Sequence, residues 1–204
     1  MNKKIVHDAL ILTAFTLVLG FILGLVYGIT KEPIAAADMA KAQAAYQQVF
    51  ESAESFEAYD AFDKEAAASV MDENGFADEI TDVQVAKDGS GSELGYVITV
   101  TAKDGSQANI TFSVGITSDG TVNGYSITSI AETPGLGDKA KNEEFSSQFK
   151  EKKADSFTVV KQAPASDSEI ESISGATITS RAMTNGVNAC ITYFRDVLEG
   201  GAES

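Results

Sequence analysis

Ser174-Gly175-Ala176-Thr177 is a run of small residues that closes on a hydroxyl, and Ile178-Thr179-Ser180 leads from it into a helix-like segment. Small side chains let a bulky group approach the backbone and the Thr177 hydroxyl. A helix starting near Thr179 exposes unpaired amides and the positive end of its dipole, a seat suited to phosphate. Glu171, three residues before Ser174, adds a carboxylate able to orient or deprotonate a group nearby. The run therefore predicts a phosphorylated ligand beside Thr177. A plainer reading fits the same residues: Thr179 and Ser180 cap a helix after a tight turn.

The rest of the chain lacks the usual catalytic equipment. His7 is the only histidine and Cys190 the only cysteine. A metal cluster, a Cys/His pair or a Ser-His-Asp triad cannot be built from them. No catalytic and no metal-binding residue is assigned. Redox chemistry would need a group brought in and fastened. A second small-residue segment, Glu132-Thr133-Pro134-Gly135-Leu136-Gly137, lacks the spacing of a dinucleotide or phosphate-loop fingerprint and reads by itself as a sharp turn.

These segments must be positioned by the elements around them. Ala9 to Ile29 is a 21-residue stretch without a charge, and at 1.5 Å per residue it spans about 31 Å, enough to cross a bilayer core. Lys3 and Lys4 precede it, and the positive-inside bias places the N-terminus in the cytoplasm and everything after Lys31 outside. A cleaved secretory signal ending near Ala35-Ala36-Ala37 is the rival reading, but the apolar run exceeds a signal core. Gly20, Gly24 and Gly28 share one helix face, the small-xxx-small arrangement of helices that pack in membranes. Residues 35–204 carry 12 basic and 28 acidic residues, which argues against nucleic acid or anionic lipid as a partner. One cysteine excludes an internal disulfide framework, and Cys190 reads as a small core residue.

Along the outer part, Asp38 to about Phe56 predicts an amphipathic helix capped by Asp38, and residues 57–78 read as connecting structure. Ile80–Ala86, Leu94–Ala102, Ala108–Ile116 and Val122–Ile130 predict four strands of an antiparallel meander. Asp88-Gly89, Asp104-Gly105 and Asp119-Gly120 would supply the turns. A short helix near Glu143–Lys150 and a strand at Phe157–Lys161 follow. From Thr179 to Leu198, residues Met183, Val187, Cys190, Ile191, Phe194 and Leu198 form one apolar face, and Gly200-Gly201 ends that helix. The expected fold is α+β: an N-terminal transmembrane helix, then a domain whose antiparallel sheet is covered by helices. The boundaries are 1–34 for the cytoplasmic N-terminus and anchor, 35–78 for a helical connector, and 79–204 for the extracytoplasmic domain.

The stretch Glu171–Asn188, with Glu132–Gly137 about forty residues earlier, resembles the FMN-binding domain family. With the preceding apolar helix and the TKEPI segment after it, the chain more narrowly resembles the G subunits of Rnf electron-transport complexes. The C subunits of sodium-pumping NADH:quinone reductase are a related alternative. The resemblance implies covalent FMN, joined through its phosphate by a flavin transferase to Thr177. It implies further cofactor contacts from Ser174, Gly175, Ala176 and Glu171, and from Glu132, Thr133, Pro134, Gly135, Leu136 and Gly137. Family members usually carry Asp where this chain has Glu171, which keeps the carboxylate on a longer arm. The implied role is a membrane-anchored electron carrier in an ion-translocating ferredoxin:NAD+ oxidoreductase. Membrane, iron–sulfur and flavin subunits would be its partners, and the chain alone would have no complete active site. A stand-alone extracytoplasmic flavin carrier and a non-redox sensor or adhesion module are the rival readings.

Overall fold

A computed structural model describes residues 3–199 of the chain, which forms two compact units divided between Lys41 and Ala42. The expected end of the last helix at Gly200-Gly201 lies outside the described residues. One helix, α1 (Lys3–Val49, 47 residues), carries the apolar segment and is long and apolar enough to cross a membrane once. The separate helix expected from Asp38 is not separate, because α1 continues through Pro33 and Asp38 to Val49. A proline removes one helical hydrogen bond, and the alanine- and glutamine-rich sequence beyond it is a strong enough helix former to carry on. The helix stops where the Gln47 amide donates to the carbonyls of Phe50, Glu51 and Ala53, at 3.2–3.3 Å.

In the second unit, the four expected strands are β2 (Glu79–Lys87), β3 (Glu93–Ala102), β4 (Ile110–Thr117) and β5 (Val122–Ser129), following β1 (Ser55–Ala58). They form one antiparallel sheet in the order β1-β2-β3-β4-β5. The segment read as connecting structure holds β1 and also α2 (Lys64–Glu73), whose N-terminus is capped by Asp63 accepting the Ala66 N–H at 2.7 Å. Of the three Asp-Gly turns, only Gly120 uses the left-handed backbone the pattern implies, at φ +84°. In the β2–β3 connection that role passes to Gly91, while the Asp88 carboxylate accepts the Ser90 and Ser92 amides.

Both faces of the sheet are covered. Tyr96, Ile98, Val100, Phe112, Val114 and Ile116 point to one face, where they pack with α4 (Thr177–Tyr193). On the opposite face Val97 and Ala86 pack against Tyr46, Val49, Phe50 and Ala53 from the end of α1 and its following turn. The stripe read in α4 is buried throughout: Met183, Val187, Cys190 and Ile191, continued by Phe194 and Leu198 in a terminal π-helical turn, Phe194–Glu199.

Between β5 and α4 the chain runs through a 3₁₀ turn (Gly137–Lys141), α3 (Glu143–Ser146) and a second 3₁₀ turn (Ser147–Phe149). This replaces the single short helix expected there. β6 (Thr158–Val160) then pairs in parallel with β7 (Glu169–Glu171) in a separate two-stranded sheet. The Asn188 amide of α4 pins this small sheet in place, accepting the Phe157 N–H at 2.7 Å and donating to the Phe157 carbonyl at 2.9 Å.

The seating of α4 on the sheet depends on Gly186, where a Cβ would stand 2.6 Å from the Phe112 ring. Phe112 is fully buried and cannot retreat. Gly186→Ala gains up to ~1 kcal/mol in helix propensity but overpacks at about 1–3 kcal/mol. The expected outcome is a melting temperature about 2–4 °C lower, read by circular dichroism. An unchanged or higher value would show that the contact has slack.

Candidate functional site

Two glycine turns make the site. In Thr133-Pro134-Gly135-Leu136 the Leu136 N–H donates to the Thr133 carbonyl at 3.1 Å, with proline second and Gly135 third at φ +77°. In Ile173-Ser174-Gly175-Ala176 the Ala176 N–H donates to the Ile173 carbonyl at 3.0 Å, with Gly175 third at φ +78°. Positive φ at the third position is the type II requirement that only glycine meets cheaply. The turns touch: a Cβ on Gly175 would lie 3.2 Å from Leu136 Cδ2.

Ser180 closes the second turn from behind, its Oγ accepting the Ile173 N–H at 2.9 Å and donating to the Ala176 carbonyl at 3.0 Å. α4 begins at Thr177, two residues earlier than expected, and Ala176 offers no capping side chain. The first helical hydrogen bond runs from the Ser180 N–H to the Ala176 carbonyl. The amides of Thr177, Ile178 and Thr179 therefore precede the helical ladder at the positive end of the helix. Thr179 and Ser180 are not caps, since both are buried and their hydroxyls are committed elsewhere.

Thr179 instead donates to Glu132 Oε2 at 3.1 Å, and Glu132 Oε1 accepts the Gln107 N–H at 3.1 Å. Glu132 is buried between two glycines. A Cβ on Gly137 would lie 2.7 Å from Oε2 and one on Gly105 would lie 3.0 Å from Oε1. One carboxylate thus joins the β3–β4 loop, the segment after β5 and the start of α4.

Around it lies a hollow of about 300 Å³, at the small end of ligand sites. The fold brings Glu132, Thr133, Leu136, Gly137, Gly175, Ala176 and Thr177 to its walls. Ser106, Ile178 and Thr179 also line it; Ile178 and Thr179 belong to the run read as leading into the helix, whereas nothing in the sequence singles out Ser106. Pro134 and Gly135 form the back of their turn and are not wall residues. Ser174 and Glu171 line a neighbouring hollow of about 410 Å³ with Lys139, Phe145 and Gln148. Glu171 is exposed, and the Gln148 side chain brackets its backbone, accepting its N–H at 2.7 Å and donating to its carbonyl at 3.3 Å.

Thr177 is half-buried, and its hydroxyl makes no hydrogen bond to protein among the described residues. Outside α1, the exposed large hydrophobic side chains among the described residues are Leu136, at 42% exposure, and Ile178, at 59%. Both line the hollow together with Thr177. An unpaired hydroxyl, three open amides and two apolar side chains held in the open fit a group with a phosphate at one end and a flat apolar body at the other.

The FMN-binding domain model matches residues 105–192, which include every wall of the hollow, and the RnfG N-terminal region model matches residues 1–49. The G subunit of the proton-translocating ferredoxin:NAD(+) oxidoreductase complex of Clostridium ljungdahlii is 41% identical over 56% of this chain and 64% of its own length. The G subunit of the Na(+)-translocating ferredoxin:NAD(+) oxidoreductase complex of Acetobacterium woodii is 34% identical over 75% of this chain and 73% of its own length. The chain belongs to this G-subunit family. Its match spans about half the length of more distant members, such as that of Methanosarcina acetivorans at 33% identity over 52% of this chain and 54% of its own length. NqrC of Shewanella oneidensis shares the fold, with a TM-score of 0.50 and 22% identity over 60% of this chain and 61% of that one.

Removing the Glu132 carboxylate leaves the Gln107 amide and the Thr179 hydroxyl without their acceptor. Glu132→Ala is expected to lower unfolding stability by about 2–4 kcal/mol, seen as a lower urea midpoint at unchanged slope. Glu132→Gln keeps one acceptor and should fall between the two. Equal midpoints for all three would show that the carboxylate holds nothing together.

Proposed function

We propose that this chain is the membrane-anchored flavin subunit of an ion-translocating ferredoxin:NAD+ oxidoreductase, carrying FMN as a phosphoester on Thr177. The observation that carries the reading is the unpaired Thr177 hydroxyl at the first turn of α4, in a hollow that the exposed Leu136 and Ile178 also line. Its setting in a G-subunit chain with an FMN-binding domain supports it. Identities of 41% and 34% to ferredoxin:NAD(+)-type G subunits favour this complex over the quinone-reductase alternative.

Formation of the linkage is a phosphoryl transfer from a phosphoanhydride-activated form of FMN: the Thr177 Oγ–phosphorus bond forms as the anhydride P–O bond breaks, the anhydride's other half leaves as a phosphate monoester, and the hydroxyl proton goes to solvent. The product has the composition of FMN plus threonine less one water. A flavin transferase is the maturation partner. The open amides of Thr177, Ile178 and Thr179 favour a phosphate diester anion there, through the helix dipole. Leu136 and Ile178 would offer apolar surface to the ring. Glu132 holds Thr179 and the Gln107 loop so that this wall stays fixed. Once bound, FMN supplies reversible electron uptake and release, and the protein supplies position and electrostatics. Ser174 and Glu171, on the neighbouring hollow, then belong to the approach to Thr177 and not to the ring's wall. The N-terminus is cytoplasmic and the flavin domain extracytoplasmic, as Lys3 and Lys4 before the apolar stretch suggest. Membrane, iron–sulfur and flavin subunits of the complex are the partners, and electrons pass through this chain between them.

Protein purified from its native membrane should show an intact mass higher by one FMN less water, and in-gel flavin fluorescence after denaturation. Thr177→Val should lose both while its melting temperature stays within about 1–2 °C, because one half-exposed hydroxyl is all that changes. Thr179→Val should keep the flavin, since that hydroxyl is buried against Glu132. Covalent flavin retained in Thr177→Val would sink the assignment.

A second check concerns topology. In intact cells or right-side-out vesicles, added protease should cut the domain after Lys31, and protection of the domain would reverse the orientation.

A further inference from the structure

Asp78 precedes β2 and is buried at 5% exposure, with its Oδ1 fully covered and without a hydrogen-bond partner. Burial and then the negative charge of Asp104 raise its carboxyl to about 6, while the Lys103 amide and ammonium pull the other way. Lys103 is a weak counterion here, because Glu79 holds its ammonium at 3.1 Å and holds Lys64 of α2 at 2.6 Å. From α4 the facing titratable group is the Cys190 thiol, which burial and the Asp78 charge push well up, so it stays neutral. Asp78 is thus a buried acid with a second acid beside it and no full neutralising partner.

Asp104 and Lys103 begin the β3–β4 loop, whose far side forms part of the Thr177 hollow. Ser106 is a wall residue, and the Gln107 N–H donates to Glu132. The loop is tight: a Cβ on Gly105 would stand 1.9 Å from the Ala108 carbonyl oxygen and 3.0 Å from Glu132 Oε1. A loop this compact does not absorb a displacement at Asp104 without passing it on to the Gln107–Glu132 bond.

We propose that Asp78 is a positioning residue for the Thr177 hollow, acting through Asp104 and the Lys103–Ala108 loop on the bond between Gln107 and Glu132. With Asp78 neutral the loop sits closed on Glu132. With Asp78 charged, repulsion from Asp104 loosens it, and the wall carrying Ser106 relaxes. The sign follows from a folded-state pKa above the ordinary 3.8: the closed form is fully favoured below that value and loses its advantage as pH rises through about 6. The consequence for a flavin rests on the Thr177 attachment proposed above, whereas the loop motion does not.

The test uses full-length protein purified from its native membrane. Amide hydrogen exchange of peptides covering residues 103–109 is followed from pH 5 to 8 and corrected for intrinsic rates. Protection in the unaltered protein should fall between pH 5 and about 6 and level off above it, by at most about 10-fold over this range. Asp78→Asn should hold the loop protected and flat across the range. Asp104→Asn removes the repulsion that opens the loop and should flatten the profile as well. Profiles that coincide for all three proteins overturn the proposal, as does pH-dependent loosening that persists in Asp78→Asn. Flavin fluorescence of the same samples provides a second readout, tracking pH with the same midpoint in the unaltered protein and flat in Asp78→Asn. Flavin-free protein with the expected exchange profile would defeat the Thr177 reading and leave the loop coupling standing. Flavin-bearing protein with a flat profile would do the reverse.

Discussion

The buried Glu132 carboxylate is the contact on which the hollow depends. Three segments that are remote in sequence meet at its two oxygens: the β3–β4 loop through Gln107, the residues after β5, and the start of α4 through Thr179. A buried charge is tolerable only when its oxygens are occupied. Here a backbone amide and a hydroxyl occupy them, and two glycines make the room. The arrangement explains why Gly105 and Gly137 carry no side chain although neither adopts the left-handed backbone. Their role is space, whereas Gly135 and Gly175 supply turn geometry.

Much of the scaffold is legible in the sequence because it rests on period. Strands β2–β5 and the buried stripe of α4 show repeats of apolar residues that the structure buries nearly residue for residue. What escapes is short or built on small residues. β1 is four residues long and mostly exposed, and α2 buries only Ala67 and Met71, so neither presents a stripe. The end of α1 misleads because a proline and a capping-type aspartate together imitate a helix start. Coverage of the second sheet face is hidden by the same imitation, since it is the last turns of α1 that supply it.

The site divides along the same line. Its turns can be read, because Pro-Gly and Ser-Gly announce themselves locally. The Glu132–Thr179 bond cannot, since it joins residues 47 apart and nothing in either segment names the other. Ile178 escapes for a different reason: an isoleucine is expected inside, and only the structure reveals that it stands in solvent. Glu171, linked to the cofactor through family resemblance, lies on the neighbouring hollow with its backbone gripped by Gln148, a placement no local pattern announces.

The position of Thr177 has a bearing on how such a chain matures. Its hydroxyl lies on the surface of a domain whose core, from Phe112 to Met183 and Phe149, is closed without it. The glycine turns are held by their own backbone bonds. If Thr177 takes the flavin proposed for it, folding does not wait for that step, and the rate at which a finished chain becomes competent would be set by its loading and not by the fold.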